Sequence, residues 1–361
     1  MKKTKKNILF FIETMNLGGK ERQLRNLING LDTDKFNIVL LVKNSFDSKS
    51  YYLNPNISQK NLNTRSLNLG SYLSIISIIS KFRPNIVYTW FDGGFLAFIP
   101  LKLFYKFFLI DGSIRNTKKP KYLAYFVRRI LINTFAEKII ANSHKGISIY
   151  HAPSSKSKVI YNGFSMDNMI NIESGLAELK IKINNRFVIA MIARIDDSKD
   201  HKTFINAGID LLTKRNDIVF LIVGDGARRL EIEEYINPNF RHFFIFTGKL
   251  LNVEEIIPLI NIGVLSSFSE GISNSIIEYM AYGKPVVVSN VSATNEFVIH
   301  NENGLLFEVG DYQSLSNYIL LLLSDSELRE KIGENAKNTI AEKFSLQSMI
   351  IQYENIFNSL N

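Results

Sequence analysis

Two glutamates separated by seven residues, Glu270 and Glu278, carry the sharpest chemistry in the sequence. The run Ser269-Glu270-Gly271-Ile272-Ser273-Asn274 opens an expected helix that ends at Gly283, with Pro285 just beyond. Ser273 or Asn274 can cap it. Glu270 then sits in the loop before the helix and Glu278 about one turn inside it. Two carboxylates so placed can accept hydrogen bonds from sugar hydroxyls, while backbone N–H groups of the first turn take phosphate oxygens. Spacing alone also fits two unrelated surface glutamates.

Other candidates follow other expected strands, and open parallel sheets bind ligands at the carboxyl ends of their strands. After Arg186–Ala193 come Arg194 and Lys199. After Ile218–Val223 comes Gly224-Asp225-Gly226, and after Phe243–Thr247 comes Gly248-Lys249-Leu250. Two cations, several glycines and helix N-termini on one rim are the chemistry of a diphosphate site. In the first half, Gly18 and Gly19 follow the apolar run Asn7–Ile12 and open a helix. Asp92, in Trp90-Phe91-Asp92-Gly93-Gly94, also follows a strand; it suits an acceptor contact and a turn equally. Asp32-Thr33-Asp34 could pass for a metal-binding triplet. It precedes the strand Phe36–Val42, at the amino end of the sheet, and reads as a helix-to-strand turn.

These positions require alternating strands and helices, and the sequence supplies them twice. A length of 361 residues favours two domains. In the first half, helices are expected at Lys20–Leu31 and Leu73–Phe82. Strands are expected at Phe36–Val42, Asn85–Thr89, within Phe107–Arg115, at Glu137–Asn142 and at Ser157–Tyr161. The second half repeats the rhythm, with helices at His201–Lys214, Ala227–Tyr235, Tyr312–Leu323 and Ser326–Phe344 and further strands at Ile262–Ser266 and Pro285–Ser289. Both halves therefore predict a parallel, doubly wound sheet. The boundary is expected in the polar stretch around 163–185. This gives residues 1–165 as an acceptor-side domain and 180–344 as a donor-binding domain. The last helix carries Leu346, Met349, Ile350, Tyr353, Ile356, Phe357 and Leu360 on one stripe. With no strand after it, that stripe needs a finished core, and segment 346–361 is expected to join the first domain.

Composition excludes several classes. There is no cysteine, hence no disulfide, thiolate metal site or cysteine nucleophile. A mean hydropathy of +0.02 is too polar for a polytopic membrane protein. The basic start followed by Ile8–Ile12 imitates a signal peptide, but Glu13 ends the apolar run early, and it reads as a buried strand. Phe95–Ile110 contains Pro100, Lys102 and Lys106 and is too short to span a bilayer. A cytoplasmic protein is expected. The net charge of +9 is split: residues 1–165 hold 26 Lys and Arg against 8 Asp and Glu, whereas the remainder hold 17 against 26. A half this basic suits a polyanion or an anionic membrane surface. The stretch Lys118, Lys119, Lys121, Tyr122, Tyr125, Phe126, Arg128 and Arg129 is basic and aromatic, and Tyr122, Tyr125, Phe126 and Arg129 fall at helical spacing, mixing rings and charge on one side as a peripheral membrane face does. The membrane's inner face is the expected location, and no nucleic-acid partner is expected.

The run from Ser269 through Glu278 to Val287 resembles the glutamate-x7-glutamate signature of retaining glycosyltransferases of family four, which have the GT-B fold. Other resemblances follow in order: Gly18-Gly19-Lys20-Glu21-Arg22, Tyr161-Asn162-Gly163, Arg194 with Lys199-Asp200-His201, Val223-Gly224-Asp225-Gly226, and Asn303-Gly304-Leu305-Leu306-Phe307. The resemblance implies two doubly wound Rossmann-like domains facing across a cleft. It implies transfer of a sugar, as a hexosyl or N-acetylhexosaminyl group, from a nucleoside diphosphate donor (UDP foremost) to a glycan or lipid-linked acceptor of a bacterial cell-surface polysaccharide. Arg194 and Lys199 would hold the diphosphate, Glu278 the ribose, and Glu270 the donor sugar. Gly271, Ile272, Ser273 and Asn274 would line the donor site, Gly18 and Gly19 would approach the phosphate, and backbone at Lys249 and Leu250 would read the base. No cofactor and no metal are implied. Many members carry a first-domain histidine that this chain lacks upstream of His144; Arg115, in Asp111-Gly112-Ser113-Ile114-Arg115-Asn116, is expected near that place on the acceptor side. His144 and His151 are expected to be surface or structural. Two other readings stay open: a sugar-nucleotide 2-epimerase of the same fold, and a GT-B subunit that binds without turnover.

Overall fold

The computed structural model describes residues 5–16, 18–44, 52–115, 117, 125, 126, 128–165, 177–250, 252–291 and 293–360. The chain divides into two units: Met1–Gly163 with Leu346–Asn361, and Phe164–Ser345.

The first unit is built on seven parallel strands: β1 (Lys6–Ile12), β2 (Phe36–Val42), β3 (Ser58–Asn61), β4 (Ile86–Thr89), β5 (Phe108–Asp111), β6 (Lys138–Ala141) and β7 (Ser157–Val159). Their order is β3-β2-β1-β4-β5-β6-β7. The central strand β1 is apolar and buried from Ile8 to Ile12 because both faces of the sheet are covered. Ile8, Phe10 and Ile12 of β1 point into one core, Leu9 and Phe11 into the other. Helices α1 (Gly19–Gly30), α2 (Leu69–Phe82), α3 (Asp92–Phe98) and α4 (His144–Ile149) supply cover. α2 starts one turn before the expected Leu73, because Asn68 and Ser71 cap each other reciprocally, both bonds at 2.9 Å. Leu69 and Leu73 face water, so the apolar stripe gave no sign of that first turn. β3, with sequence SQKN, has no apolar signal either; pairing with β2, Val39 opposite Ser58, makes it a strand. Asp32-Thr33-Asp34 is a turn, with the Asp34 N–H donating to Asp32 Oδ1 at 2.8 Å.

The first helix described in the second unit is α5 (Ala177–Ile183), inside the polar stretch where the boundary is expected. Six parallel strands follow: β8 (Phe187–Ile192), β9 (Ile218–Val223), β10 (Phe244–Gly248), β11 (Ile262–Leu265), β12 (Val286–Ser289) and β13 (Leu305–Phe307), ordered β10-β9-β8-β11-β12-β13. Between and after them run α6 (His201–Leu212), α7 (Arg229–Tyr235), α8 (Asn274–Ala281), α9 (Tyr312–Ser324) and α10 (Ser326–Lys343). The helix expected from Ala227 starts at Arg229.

The last helix, α11 (Leu346–Ser359), belongs to the first unit. Phe357 is fully buried and meets the rings of Phe10, Phe36 and Tyr88 edge-on, each at 6.1 Å between centroids. Lys6 Nζ donates to the carbonyls of Phe357, Asn358 and Leu360, placing a cation at the negative end of the helix. Gly163 lies so close to the helix start that a Cβ there would sit 2.9 Å from Leu346 Cα. This is a physical reason for glycine in Tyr161-Asn162-Gly163.

Phe357→Ala removes a fully buried ring and is expected to cost about 3–5 kcal/mol in denaturant unfolding. Lys6→Met should cost only about 0.3–1 kcal/mol. Equal effects would mean that the carbonyl contacts, not the ring, hold the helix.

Candidate functional site

The strand order of the second unit reverses between β8 and β11: the chain leaves β8 toward β9 on one side, and β11 toward β12 on the other. Loops from the two carboxyl ends part there, which is where doubly wound sheets take ligands. Backbone bonds join these loops just beyond the strands. The Asp200 N–H donates to the Ser266 carbonyl at 3.0 Å, and the Phe268 N–H to the Ser198 carbonyl at 3.1 Å. Lys199 and Ser267 form an antiparallel bridge.

That register puts Lys199 Nζ directly on Glu270 Oε1. Ser267 Oγ donates to the same oxygen at 2.9 Å, and Ser289 Oγ takes the Ser267 N–H at 3.0 Å. The side chains of Lys199 and Glu270 are only 12% and 13% exposed. Burial pulls the Lys199 ammonium down to about 8; Asp196 opposes the shift and Arg194 adds to it. Arg194 is different. Its side chain is 75% exposed, and Nη2 lies 3.0 Å from Asp196 Oδ2. The two cations were expected on one solvent-facing rim; Arg194 is in water and Lys199 is not.

Helix α8 follows the β11 loop. Gly271, Ile272 and Ser273 are buried, and Asn274 is the first helical residue. Ser273 occupies the cap position without making the expected side-chain cap bond; its hydroxyl pairs with Ser275 Oγ at 3.0 Å instead. Glu278 is 1% exposed inside α8. Its neighbour Tyr279 sets the rotation of the helix. The Tyr279 hydroxyl donates to the Ala190 carbonyl at 3.1 Å and accepts the Ile192 N–H at 2.9 Å, so α8 is stitched to β8. Gly224, at φ +136°, lets the turn after β9 reach the turn after β8: a Cβ there would sit 2.9 Å from the Ala193 carbonyl carbon. Lys249 is exposed and Leu250 half-buried after β10, the edge strand, with β9 between it and β8.

In the first unit the order reverses between β1 and β4. Gly18 is the N-cap of α1 and Gly19 its first residue, and Glu21 in the first turn accepts from Thr14 Oγ1 at 2.9 Å. Asp92 opens α3 and takes the Ser113 hydroxyl at 2.6 Å, with Asp111 Oδ1 2.7 Å from the same oxygen. Arg115 is locked in place. Nε donates to the Gly112 carbonyl at 2.9 Å, Nη2 to the hydroxyls of Tyr88 and Tyr353 at 3.1 Å each, and the guanidinium lies 4.0 Å over the Trp90 ring. Burial opposes its charge, but the two tyrosines outweigh that and raise it further above its ordinary value. Arg115 thus ties the end of β5 to α11. His144 starts α4 beside the ring of Tyr161, and His151 packs on Tyr125.

Sequence reading missed Ser267, which donates to Glu270, and Ser289, which accepts the Ser267 N–H; it named His201 only within the run Lys199-Asp200-His201, and this residue is 1% exposed at the start of α6. Burial, aided by Lys199, pulls His201 down to about 4, so it is neutral at pH 7. Its place two residues after Lys199 was the only signal. Among the described residues, no group of three or more His, Cys, Asp or Glu is placed to hold a metal ion, and no helix is long and apolar enough to cross a membrane.

Residues 178–339 match the family described as Glycosyl transferases group 1. The chain is 27% identical over 313 residues, 81% of each sequence, to the capsular polysaccharide biosynthesis glycosyltransferase CapM of Staphylococcus aureus. It is 24% identical over 94% of each sequence to the UDP-Gal:alpha-D-GlcNAc-diphosphoundecaprenol alpha-1,3-galactosyltransferase of Escherichia coli. Among solved structures, Anabaena HepE in complex with UDP superposes with a TM-score of 0.83 at 21% identity, covering 98% of this chain and 100% of that one. The two parallel α/β units are those of GT-B glycosyltransferase structures.

Lys199→Met leaves Glu270 without its cation in a largely buried place. It should cost about 2–3 kcal/mol in chemical denaturation, less than the about 3–5 of a fully buried pair. Lys199→Met with Glu270→Gln should recover most of that loss, and Arg194→Ala should stay within about 0.5 kcal/mol. Loss of stability in Arg194→Ala but not Lys199→Met would reverse the assignment of the buried cation.

Proposed function

We propose that the protein is a retaining glycosyltransferase that moves a hexosyl or N-acetylhexosaminyl group from a UDP-sugar to a glycan or lipid-linked acceptor of a cell-surface polysaccharide. The observation that carries this reading is the Lys199–Glu270 contact at the strand-order reversal of the second unit, beside the start of α8. The names of the relatives supply the substrate classes. HepE is described with UDP, and the Escherichia coli relative is named for a UDP-Gal donor and a diphosphoundecaprenol-linked acceptor.

In this reading the donor diphosphate takes Lys199 from Glu270, turning the carboxylate toward the donor sugar. Arg194 swings from Asp196 to the outer phosphate. The start of α8, at Gly271 to Asn274, adds its backbone donors, and together these offset the charge that grows on the leaving diphosphate. Glu278 takes the ribose, and backbone at Lys249 and Leu250 reads the base. The acceptor oxygen bonds to the anomeric carbon on the face from which the phosphate oxygen departs. That departing oxygen accepts the acceptor's proton, so no protein nucleophile and no metal are required. Asp92 belongs to the acceptor side. Arg115 acts there through position, because its guanidinium is already engaged.

A panel of nucleoside diphosphate sugars, scored by nucleoside diphosphate release and by NMR of the product anomer, tests the reading. Retained anomeric configuration and full rate in EDTA are expected. Inversion, strict magnesium dependence, or interconversion of two sugar nucleotides would sink it. Arg194→Ala and Lys199→Met should each lower kcat/KM for the donor by about 10- to 150-fold, the equivalent of one charge-assisted bond of about 1.5–3 kcal/mol. Lys199 loses its proton as pH rises, so kcat/KM for the donor should fall above about pH 8. Lys199→Arg should flatten that limb of the profile. An unchanged limb in Lys199→Arg would assign it to another group.

The basic first half is proposed to dock on the inner face of an anionic membrane. Of the basic-aromatic stretch, Lys118, Lys119, Lys121 and Tyr122 lie outside the described residues, as do the side chains of Arg128 and Arg129. Phe126 is 54% exposed and Tyr125 half-buried. Each cation near such a surface contributes about 1 kcal/mol. Binding to anionic but not neutral liposomes, weakening with salt, is expected in co-sedimentation. Equal binding to both, or none at low salt, would leave this face without a membrane role.

A further inference from the structure

We infer that the first unit carries a second ligand site, for a phosphomonoester on a small apolar body, at the opposite end of its sheet from the rim described above. A cavity of about 720 Å³ opens where β2 and β3 begin and α2 ends. Pockets of about 300–1,000 Å³ hold small ligands. Val39 of β2 and Ser58 and Lys60 of β3 line its floor, and Ile78, Lys81 and Phe82 of α2 its wall. The cause is topological. α2 packs Ile75 and Ile79 into the core over the middle strands, and that core does not extend across the polar edge strand β3.

The chemistry of the lining selects the ligand. Three lysines face one carboxylate. Lys5 is already used, donating to the Thr33 carbonyl at 2.7 Å and standing 3.8 Å from Asp34, whose side chain is 97% exposed to water. Among the described residues, the side chains of Lys60 and Lys81 have no hydrogen-bond or ion-pair partner. Two uncommitted ammoniums, one from the strand side and one from the helix side, match an acceptor-only group of two charges. A phosphomonoester fits that description, and each such bond is charge-assisted. Lys81 also sits in the last turn of α2, where the helix end favours a cation. Val39, Ile78 and Phe82 then ask for an apolar portion attached to the phosphate. None of these residues takes part in the donor chemistry proposed above, so the two sites stand or fall separately.

Hexyl phosphate is the probe, titrated by isothermal calorimetry into the full-length protein, with inorganic phosphate and hexanol as its two halves. Saturable binding of hexyl phosphate is expected, at least tenfold tighter than either half. Lys60→Ala with Lys81→Ala should weaken it at least tenfold, and Arg194→Ala with Lys199→Met should leave it unchanged. Both lysines are exposed, so the double variant keeps its fold. No binding, equal binding of hexanol, or indifference to the lysine pair would overturn the site. Loss of binding in the Arg194 and Lys199 double variant would assign the probe to the donor site and overturn it equally. Vesicles containing phosphatidic acid identify the source. Capture that depends on Lys60 and Lys81 marks a lipid headgroup, and binding of hexyl phosphate without capture marks a soluble phosphorylated compound; both support the site.

Discussion

The contact between Lys199 and Glu270 is the interaction on which the second unit's rim depends. Removing an ammonium and a carboxylate from water costs several kcal/mol per ion unless each is matched in place. The match here is made by sheet topology. β8 and β11 are neighbours because the order reverses between them, and the loops that leave their carboxyl ends are joined by backbone bonds at Asp200 and Phe268. Ser267 donates to the carboxylate, and Ser289 in turn accepts the Ser267 N–H. Around this pair the other features follow. Tyr279 fixes the rotation of α8, and glycine at 224 brings the next turn close.

The first unit depends on a different constraint, the return of the chain's last helix. Tyr353 and Phe357 complete the face of the sheet that holds Phe10 and Tyr88. That return also decides what Arg115 does. A cation at the end of β5 would ordinarily face a ligand, but the Tyr353 hydroxyl from α11 and the Tyr88 hydroxyl from β4 take its Nη2, and Trp90 takes its face. The basic character of this unit is spread unevenly. Some cations are spent inside the structure, such as Lys6 on the end of α11 and Lys102 on Glu137, while the side chains of Lys60 and Lys81 have no partner among the described residues and stand beside a cavity.

Much of this was legible in the residues. Apolar runs without alternation marked β1, β2, β8 and β9, because a parallel strand covered on both faces has no polar side to show. The stripe on α11 announced an amphipathic helix that needed a finished core. What escaped was whatever lacked an apolar signal. β3 is polar along its whole length and exists through its pairing with β2. The first turn of α2 is declared only by the reciprocal cap of Asn68 and Ser71. Helix α5 sits in the polar stretch where the boundary was expected.

The sequence by itself determined the kind of structure and the order of its parts: two rounds of parallel α/β, glycines where turns approach each other, and a glutamate before and within one helix. These follow from local rules of periodicity, capping and backbone freedom. Only the tertiary structure decided which charges meet. Arg194 and Lys199 look equivalent along the chain, yet one stands in water beside Asp196 and the other is buried against Glu270. The difference arises because burial and partnership are set by which strands lie side by side, and adjacency of β8 with β11 joins segments far apart in sequence. The same holds for Arg115, whose partners come from β4 and from the last helix of the chain.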